Sequence, residues 1–191
     1  MEYRDLIPDR YGGRFIASHI RIAKAGPVPD YVHYHKIRFQ IIFCYKGWAK
    51  VVYEDQGEPF FFMAGDCILQ PPEIRHRVLE NSNGFEVVEI SSPASHMTCT
   101  DPELDLPTGK TNLNRVYNGQ NFVHHISKKA EWLPWRHPGF DKRGFGFSLV
   151  TNGLAHVQVV KSQRTNNGFM ERRDTEFHFI FMLQGELAIK I

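Results

Sequence analysis

The chain has 191 residues, of which 42% are hydrophobic, and a formal net charge of +2. This length suffices for one large or two small domains with a normal core. Because the charge is small and like charges form no run, the sequence lacks the basic footprint of nucleic-acid-binding proteins, and no nucleic-acid partner is expected. Phenylalanine is abundant, with 15 residues, and favours strands over helices, so we predict an all-β chain.

The N-terminus and the cysteines bear on location. The chain is charged from its second residue, which argues against a secretory signal, and no apolar run is long enough to span a bilayer, so no membrane partner is expected. Cys44, Cys67 and Cys99 are odd in number and lack CxxC spacing. This pattern predicts reduced thiols in a cytoplasmic protein, with Cys44 as a small buried hydrophobe.

Alternating apolar and polar residues predict the first strand over Phe15 to Lys24, ended by Gly26 and two prolines. His19 lies inside this strand without a second histidine at metal-ligand spacing, so we interpret it as an ordinary sheet residue. Further short strands, with a hairpin at Asn83-Gly84, are predicted over Trp48–Tyr53, Pro59–Met63, Cys67–Gln70, His76–Leu79 and Phe85–Ile90. Strands this short and evenly spaced suggest a barrel.

A pair of histidines marks the candidate site within Pro29 to Gly47. His33 and His35 are two residues apart, so both imidazoles project from the same face of a strand, as paired metal ligands must. Gln40 would face the other way in an unbroken strand, unless the chain turns at residues 36–38. We therefore predict two strands here rather than one.

Two glycine-bounded motifs join these histidines to a third. His33, His35 and Gly47 have the spacing of one motif, and Gly65, Pro71 and His76 have the spacing of a second. In the family that carries them, the motifs are Gly-x5-His-x-His-x(3,4)-Glu-x6-Gly and Gly-x5-Pro-x-Gly-x2-His-x3-Asn. With these motifs the sequence resembles the cupin superfamily, which implies a jelly-roll barrel. The departures from the motifs are Gln40 for glutamate, Glu73 for glycine, Glu80 for asparagine, and Gly26 one residue early with Pro27 in its place.

The resemblance implies that His33, His35 and His76 bind a divalent transition metal. Three neutral imidazoles leave the full charge of the ion uncompensated, which makes a strong Lewis acid, and imidazole suits several metals alike. The set without glutamate resembles β-diketone-cleaving and thiol dioxygenases, which implies iron(II), with zinc, nickel or manganese as alternatives. Gln40 would then bond the substrate or coordinate weakly through its amide oxygen. Three histidines merely satisfied inside a barrel would need no metal, and this interpretation stays open.

The leading functional prediction is a metal-dependent oxygenase acting on a small organic molecule held in the barrel. A non-catalytic cupin, a sensor or binding module with the same pocket, is the alternative from another class. A metal-dependent isomerase or lyase would need a base such as Glu73 or Glu80. Arg38, Arg75 and Arg77 could attract an anionic substrate. However, Arg75 and Arg77 point outward if His76 points inward.

The second half of the chain is predicted to be a degenerate repeat of the first. Phe177–Ile191 aligns with Phe39–Tyr53, and Ala155–Ser162 resembles Ser18–Ala25. This pattern looks like a bicupin with an incomplete second repeat. We divide the chain into a cupin barrel with the metal site at 1–92, a linker or surface excursion at 93–140, and a partial second unit at 141–191.

Histidine spacing in the second half argues against another metal site. His124 and His125 are adjacent, so their rings fall on opposite faces of a strand. In the alignment of the repeats, Glu171 and Arg173 fall where His33 and His35 stand, and His178 falls on Gln40, so the second unit lacks the histidine pair.

A final strand over 177–191 would leave an unpaired edge and apolar faces in water. We expect a symmetric homodimer to cover them. The alternatives are that the second unit completes the first barrel, or that the chain is a truncated form of a longer bicupin.

Overall fold

The computed structural model describes residues 1–164, 168–172 and 174–189. The strands are β1 (Glu2–Asp5), β2 (Ile16–Ile22), β3 (Gly26–Pro27), β4 (His33–Lys36), β5 (Phe39–Lys46), β6 (Trp48–Tyr53), β7 (Phe60–Met63), β8 (Cys67–Gln70), β9 (His76–Asn81), β10 (Phe85–Ser92), β11 (Met97–Thr100), β12 (Val116–Tyr117), β13 (Gln120–Asn121), β14 (Val123–His125), β15 (Leu133–Pro134), β16 (Phe140–Gly144) and β17 (Gln158–Ser162). Helical turns are α1 (Arg10–Gly13), a 3-10 turn (Ser127–Lys129) and α2 (Phe147–Val150). Across these described ranges, no helix combines the length and apolar character required for a membrane span.

Two antiparallel sheets form the body of the molecule. Sheet one has the order β1-β2-β10-β5-β8-β14, and sheet two has the order β11-β4-β9-β6-β7, with β3 paired to β9. Apolar side chains from both sheets pack between them, including Cys44 and Val87 from sheet one and Val51 and Phe62 from sheet two. This double-sheet arrangement confirms the predicted all-β jelly roll.

The strands predicted from alternation are present within two residues of their predicted ends. The stretch from Pro29 to Gly47 holds two strands, as predicted, because the chain leaves β4 at Ile37 and Arg38 before β5 begins. Three phenylalanines in β7 divide by alternation: Phe62 is buried in the core and Phe61 is exposed. Cys44 is fully buried in the same core, as predicted.

Tight turns carry the chain between the two sheets. Gly47 joins β5 of sheet one to β6 of sheet two with φ +71°, and a Cβ there would lie 2.3 Å from Ser82 Oγ. Only glycine fits this corner without displacement. The hairpin predicted at Asn83-Gly84 is wrong, since β9 belongs to sheet two and β10 to sheet one. Asn83-Gly84 instead connects the two sheets, because β9 pairs with β4 and β6 whereas β10 pairs with β2 and β5.

The stretch 93–140 contributes strands to both sheets. Within it, β11 pairs with β4 and β14 pairs with β8. These strands are short and lack a buried apolar face, so they give no alternating signal in the sequence. The division of the chain at residues 92 and 140 stays a prediction.

A second core covers the outer face of sheet one. Phe39, Ile41 and Leu69 pack there against Phe145 and Phe147. Strand β17, which lies in the predicted repeat, pairs with β16 in a separate three-stranded sheet with β15. The second half thus packs on the first through the face of sheet one.

The final segment packs by side chains rather than by strand pairing. Residues 174–189 contain no strand, although we predict one from 177 onward. Phe177 stacks on Phe15 with ring centroids 4.3 Å apart, and Phe181 lies edge-on to Tyr45. We call residues 176–183 the C-terminal strap. The strap crosses the face of sheet one rather than lying along one of its edges. Because a strand pairs only at an edge, the predicted strand does not form in residues 174–189.

The proposed repeat is only partly tested by these residues. Arg173 and residues 190–191 lie outside the described part of the chain. Glu171, which aligns with His33, contacts Arg136 and lies 3.7 Å from His137 Nε2. The bicupin interpretation therefore stays a prediction.

Candidate metal centre

Two neighbouring strands of sheet two bring the three predicted ligands together. His33 and His35 share one face of β4, and His76 on β9 is the direct cross-strand partner of His33. The ring centroids lie 5.1 Å apart for His33 and His35, 4.2 Å for His33 and His76, and 5.3 Å for His35 and His76. One nitrogen from each ring falls within 4.8 Å of the others. We call these residues the histidine cluster.

Backbone carbonyl groups fix the tautomers of two of these rings. His33 Nδ1 lies 2.8 Å from the Tyr31 carbonyl oxygen, and His76 Nδ1 lies 3.1 Å from the Ile74 carbonyl oxygen. A carbonyl oxygen only accepts, so each Nδ1 carries the proton and each Nε2 keeps its lone pair. Metal-binding histidines are commonly oriented by this kind of bond.

The third ring is oriented by a residue that sequence reasoning missed. His35 Nδ1 lies 2.9 Å from Thr98 Oγ1, on β11. Thr98 falls in the stretch predicted as a linker, where no pattern indicated a role. All three Nδ1 atoms are thus engaged by neighbours, and the Nε2 atoms are left as the ligand atoms. The cluster fits a divalent transition metal.

Charge states in the cluster also favour ligation. Burial, and next the neighbouring His33 and His35, keep the pKa of His76 well below its usual range. Burial, and next His33, lower the pKa of His35 to about 4. Both rings are therefore neutral at neutral pH, as a metal ligand must be.

His33 differs because an acidic side chain lies beside it. Burial alone would lower its pKa, but Asp30 and the Tyr31 carbonyl group outweigh burial and raise the pKa of His33. Asp30 Oδ1 is 3.4 Å from His33 Nδ1, and its other oxygen accepts a 3.0 Å bond from the Val78 amide. Asp30 is a second orienting residue that sequence reasoning missed, and its place three residues before His33 was the available signal.

Sheet one faces the cluster with a row of polar side chains. Gln70, Gln40 and Ser91 are direct neighbours across β8, β5 and β10, and all three are buried. Tyr53 on sheet two donates a 2.8 Å hydrogen bond to Gln70 Oε1, and Gln70 Nε2 donates a 2.6 Å bond to Gln40 Oε1. The structure therefore places Gln40 in the interior, as the turn before β5 predicts, with its amide oxygen already accepting a bond.

The other predicted site residues lie away from the cluster. Arg77 is exposed, and Arg75 pairs with Asp101 at 3.3 Å, so both point outward as predicted. Arg38 is exposed and pairs with Glu176 at 3.0 Å. The candidate bases Glu73 and Glu80 are also exposed.

The remaining predicted histidines have structural partners. His19 lies 2.8 Å from Glu86, as expected of an ordinary sheet histidine. His124 bonds Asp66 at 3.2 Å while His125 packs on Phe145, so the adjacent rings diverge. Among the described residues, the histidine cluster is the one group of three or more ligand side chains with metal-binding geometry.

Replacement of Gln40 by glutamate tests how residue 40 relates to the metal. In the metal-free protein a second carboxylate would lie beside Glu89, which hydrogen-bonds Gln40, so we expect a melting temperature several degrees lower. A bound cation offsets this repulsion, so the rise in melting temperature on adding metal should exceed that of the unmodified protein. Differential scanning calorimetry with and without metal measures both quantities. An unchanged metal response would mean that residue 40 points away from the ion.

Comparisons with known proteins add likeness at the level of the fold. No protein-family model and no curated protein sequence matches the chain significantly. Among solved structures, the 11S allergen of Cocos nucifera is 20% identical over 51% of this chain and 29% of its own, with a TM-score of 0.41. Salicylate 1,2-dioxygenase of Pseudoaminobacter salicylatoxidans, in a gentisate adduct, is 13% identical over 52% of this chain and 28% of its own, with a TM-score of 0.41. Oxalate decarboxylase of Bacillus subtilis is 14% identical over 78% of this chain and 50% of its own, with a TM-score of 0.49.

The aligned region thus spans half or less of each of those three chains. No activity, metal or substrate follows from likenesses of this extent. The chain's own structure has two facing antiparallel sheets, and His33, His35 and His76, the residues that match the two sequence motifs, converge in it. The chain therefore has a jelly-roll fold with a cluster of three histidines between its strands, as the sequence motifs predict.

Proposed function

We propose that the chain is a metal-dependent cupin oxygenase, an iron(II) dioxygenase that acts on a small organic molecule inside the barrel. The observation that carries the proposal is the set of three imidazoles, each engaged by a neighbour through Nδ1, with one ring nitrogen apiece within 4.8 Å of the others. Bound iron(II) would supply a redox-active Lewis acid able to use O2. Zinc, nickel or manganese would fit the same nitrogen ligands.

The surrounding residues support a role in holding a substrate. The interior beside the cluster is lined by the Tyr53, Gln70 and Gln40 side chains, whose mutual hydrogen bonds fix their orientation. Such a preorganised polar wall can position a small molecule without reorganising. Gln40 is our candidate catalytic residue, because its buried amide belongs to this wall and would hydrogen-bond the substrate.

Oxygen consumption tests the proposal directly. The protein is loaded anaerobically with iron(II), its metal content is measured, and O2 uptake is followed with β-diketones, thiols and phenolic acids. We expect one class of compound to stimulate uptake at least about 100-fold over the substrate-free rate, the low end of what a single positioned acid–base group contributes to catalysis. A His76→Ala variant should lose this stimulation.

Two outcomes would contradict an oxygenase. If iron binds but none of the three compound classes stimulates uptake, the proposal fails. If a compound binds the loaded protein and O2 uptake stays at the background rate, the pocket belongs to a non-catalytic binding module. Metal content distinguishes both from a failure to load the site.

A further inference from the structure

Glu89 is a carboxylate of the barrel interior that the sequence patterns did not indicate. It lies on β10, with Ser91 and Val87 on the same face of the strand. Val87 belongs to the core between the sheets, and Ser91 is the cross-strand partner of Gln40. Glu89 therefore projects into the space between the sheets, on the side of the histidine cluster.

A directional chain of hydrogen bonds leads toward this carboxylate. The Tyr53 hydroxyl donates to Gln70 and the Gln70 amide donates to Gln40, whose side chain lies beside Glu89 and favours its ionised form. Ser91 Oγ adds a further donor to Glu89 Oε1 at 3.4 Å. Gln70 accepts through its oxygen and donates through its nitrogen, and Gln40 accepts through its oxygen, so the Gln40 amide nitrogen is left on the side of the carboxylate.

Neighbouring groups offset part of the burial of this carboxylate. Burial raises the pKa of Glu89, and the Gln40 and Ser91 side chains with the charges of His96 and His33 reduce the rise without cancelling it. His96 lies at the rim of the site, with its ring centroid 5.5 Å from that of His35. Glu89 is not part of the compact ligand group formed by the three histidines. Its carboxylate is thus left to meet a molecule bound beside the cluster.

The arginines that the sequence suggested as receivers of an anionic substrate are directed away from the histidine cluster. The three arginines nearest the ligands in sequence are exposed or paired on the outside, as shown by Arg77, by Arg75 with Asp101 and by Arg38 with Glu176. Facing Glu89, a carboxylate substrate would bring like charges together in a partly buried space, which costs affinity. A hydroxyl or amine would instead donate to a preorganised acceptor.

We propose that Glu89 is a specificity-determining residue that selects small molecules presenting a hydrogen-bond donor, an alcohol, phenol, enol or amine, and disfavours carboxylates. This inference rests on the proposed function, because it assumes that the molecule binds beside a metal held by the histidine cluster. It names the chemical class of ligand that the interior accepts.

Redox-inert zinc allows ligand preference to be measured apart from activity. Zinc-loaded protein is titrated with catechol, 2-aminophenol and salicylate, which share a phenol and differ in the ortho group. We expect the Glu89→Gln variant to shift the salicylate-to-catechol affinity ratio toward salicylate by at least about tenfold, since the amide can donate to the ligand carboxylate and no longer repels it. The Glu89→Asp variant retains the charge and should keep salicylate disfavoured.

Glu86→Gln is the matched control on the same strand. Glu86 is buried but bonds His19 on the other face of sheet one, so this variant should leave the ratio unchanged. An unchanged ratio in Glu89→Gln, or an equal shift in both variants, would overturn the inference. Zinc content is measured for every variant, and a site that binds no zinc contradicts the proposed metal centre instead.

Discussion

Replacement of His76 by alanine should remove most of the metal while the barrel stays folded. His76 is buried and supplies one of three converging nitrogens. Changes to residues that only orient a ligand weaken metal binding about 10- to 100-fold, so loss of a ligand itself should cost at least about 100-fold. The unmodified protein should carry one ion per chain by elemental analysis, and the variant should carry almost none after dialysis.

The fold is expected to survive this change. Removal of a buried ring leaves a cavity, and ring-to-alanine changes in a core typically cost about 3–5 kcal/mol, less than the roughly 5–15 kcal/mol stability of most domains. Circular dichroism should therefore retain the β spectrum. His125→Ala is the matched control, because His125 is a partly buried histidine that lies outside the cluster, and its metal content should be unchanged. Full metal occupancy in His76→Ala would rule out the ligand assignment.

Much of the barrel could be predicted because its strands are short, evenly spaced and bounded by turn residues. In β5 both faces are buried: Phe39 and Ile41 point to the outer core while Gln40 and Ile42 point between the sheets. The pairing of strands was harder to predict. Asn83-Gly84 has the composition of a hairpin turn, yet the adjoining strands pair in different sheets. Local turn chemistry does not contain this long-range choice.

The metal ligands could be predicted from local sequence, whereas the residues that support them could not. His33 and His35 share a face by spacing alone, and His76 follows from its motif. Thr98 and Glu89 reach the site only through the packing of strands distant in sequence. In β10 both faces are buried, so Glu86 and Glu89 interrupt apolar residues alike and the sequence could not indicate which one faces the cluster.

We expect the chain to form a homodimer through the C-terminal strap. Burial alternates along it: Phe177, Phe179 and Phe181 are half-buried, whereas Ile180 and Met182 are exposed. An apolar outward row on a segment without strand partners in the described residues is suited to packing on its own copy about a two-fold axis. Light scattering should report a dimer at micromolar concentration, and a stable monomer there would reject this expectation.

Two kinds of variant separate the outer row of the strap from its inner row. Ile180→Lys with Met182→Lys places charges in the proposed interface without uncovering sheet one, so dimerisation should weaken at least about tenfold while the monomer stays folded. Deletion of residues 176–191 also uncovers Phe15 and removes the bond from Glu176 to Arg38, so it should yield aggregate or a less stable monomer. If the double lysine variant remains as dimeric as the unmodified protein, the outer row is not the interface. If the deletion leaves the assembly unchanged, no part of the strap is required for it.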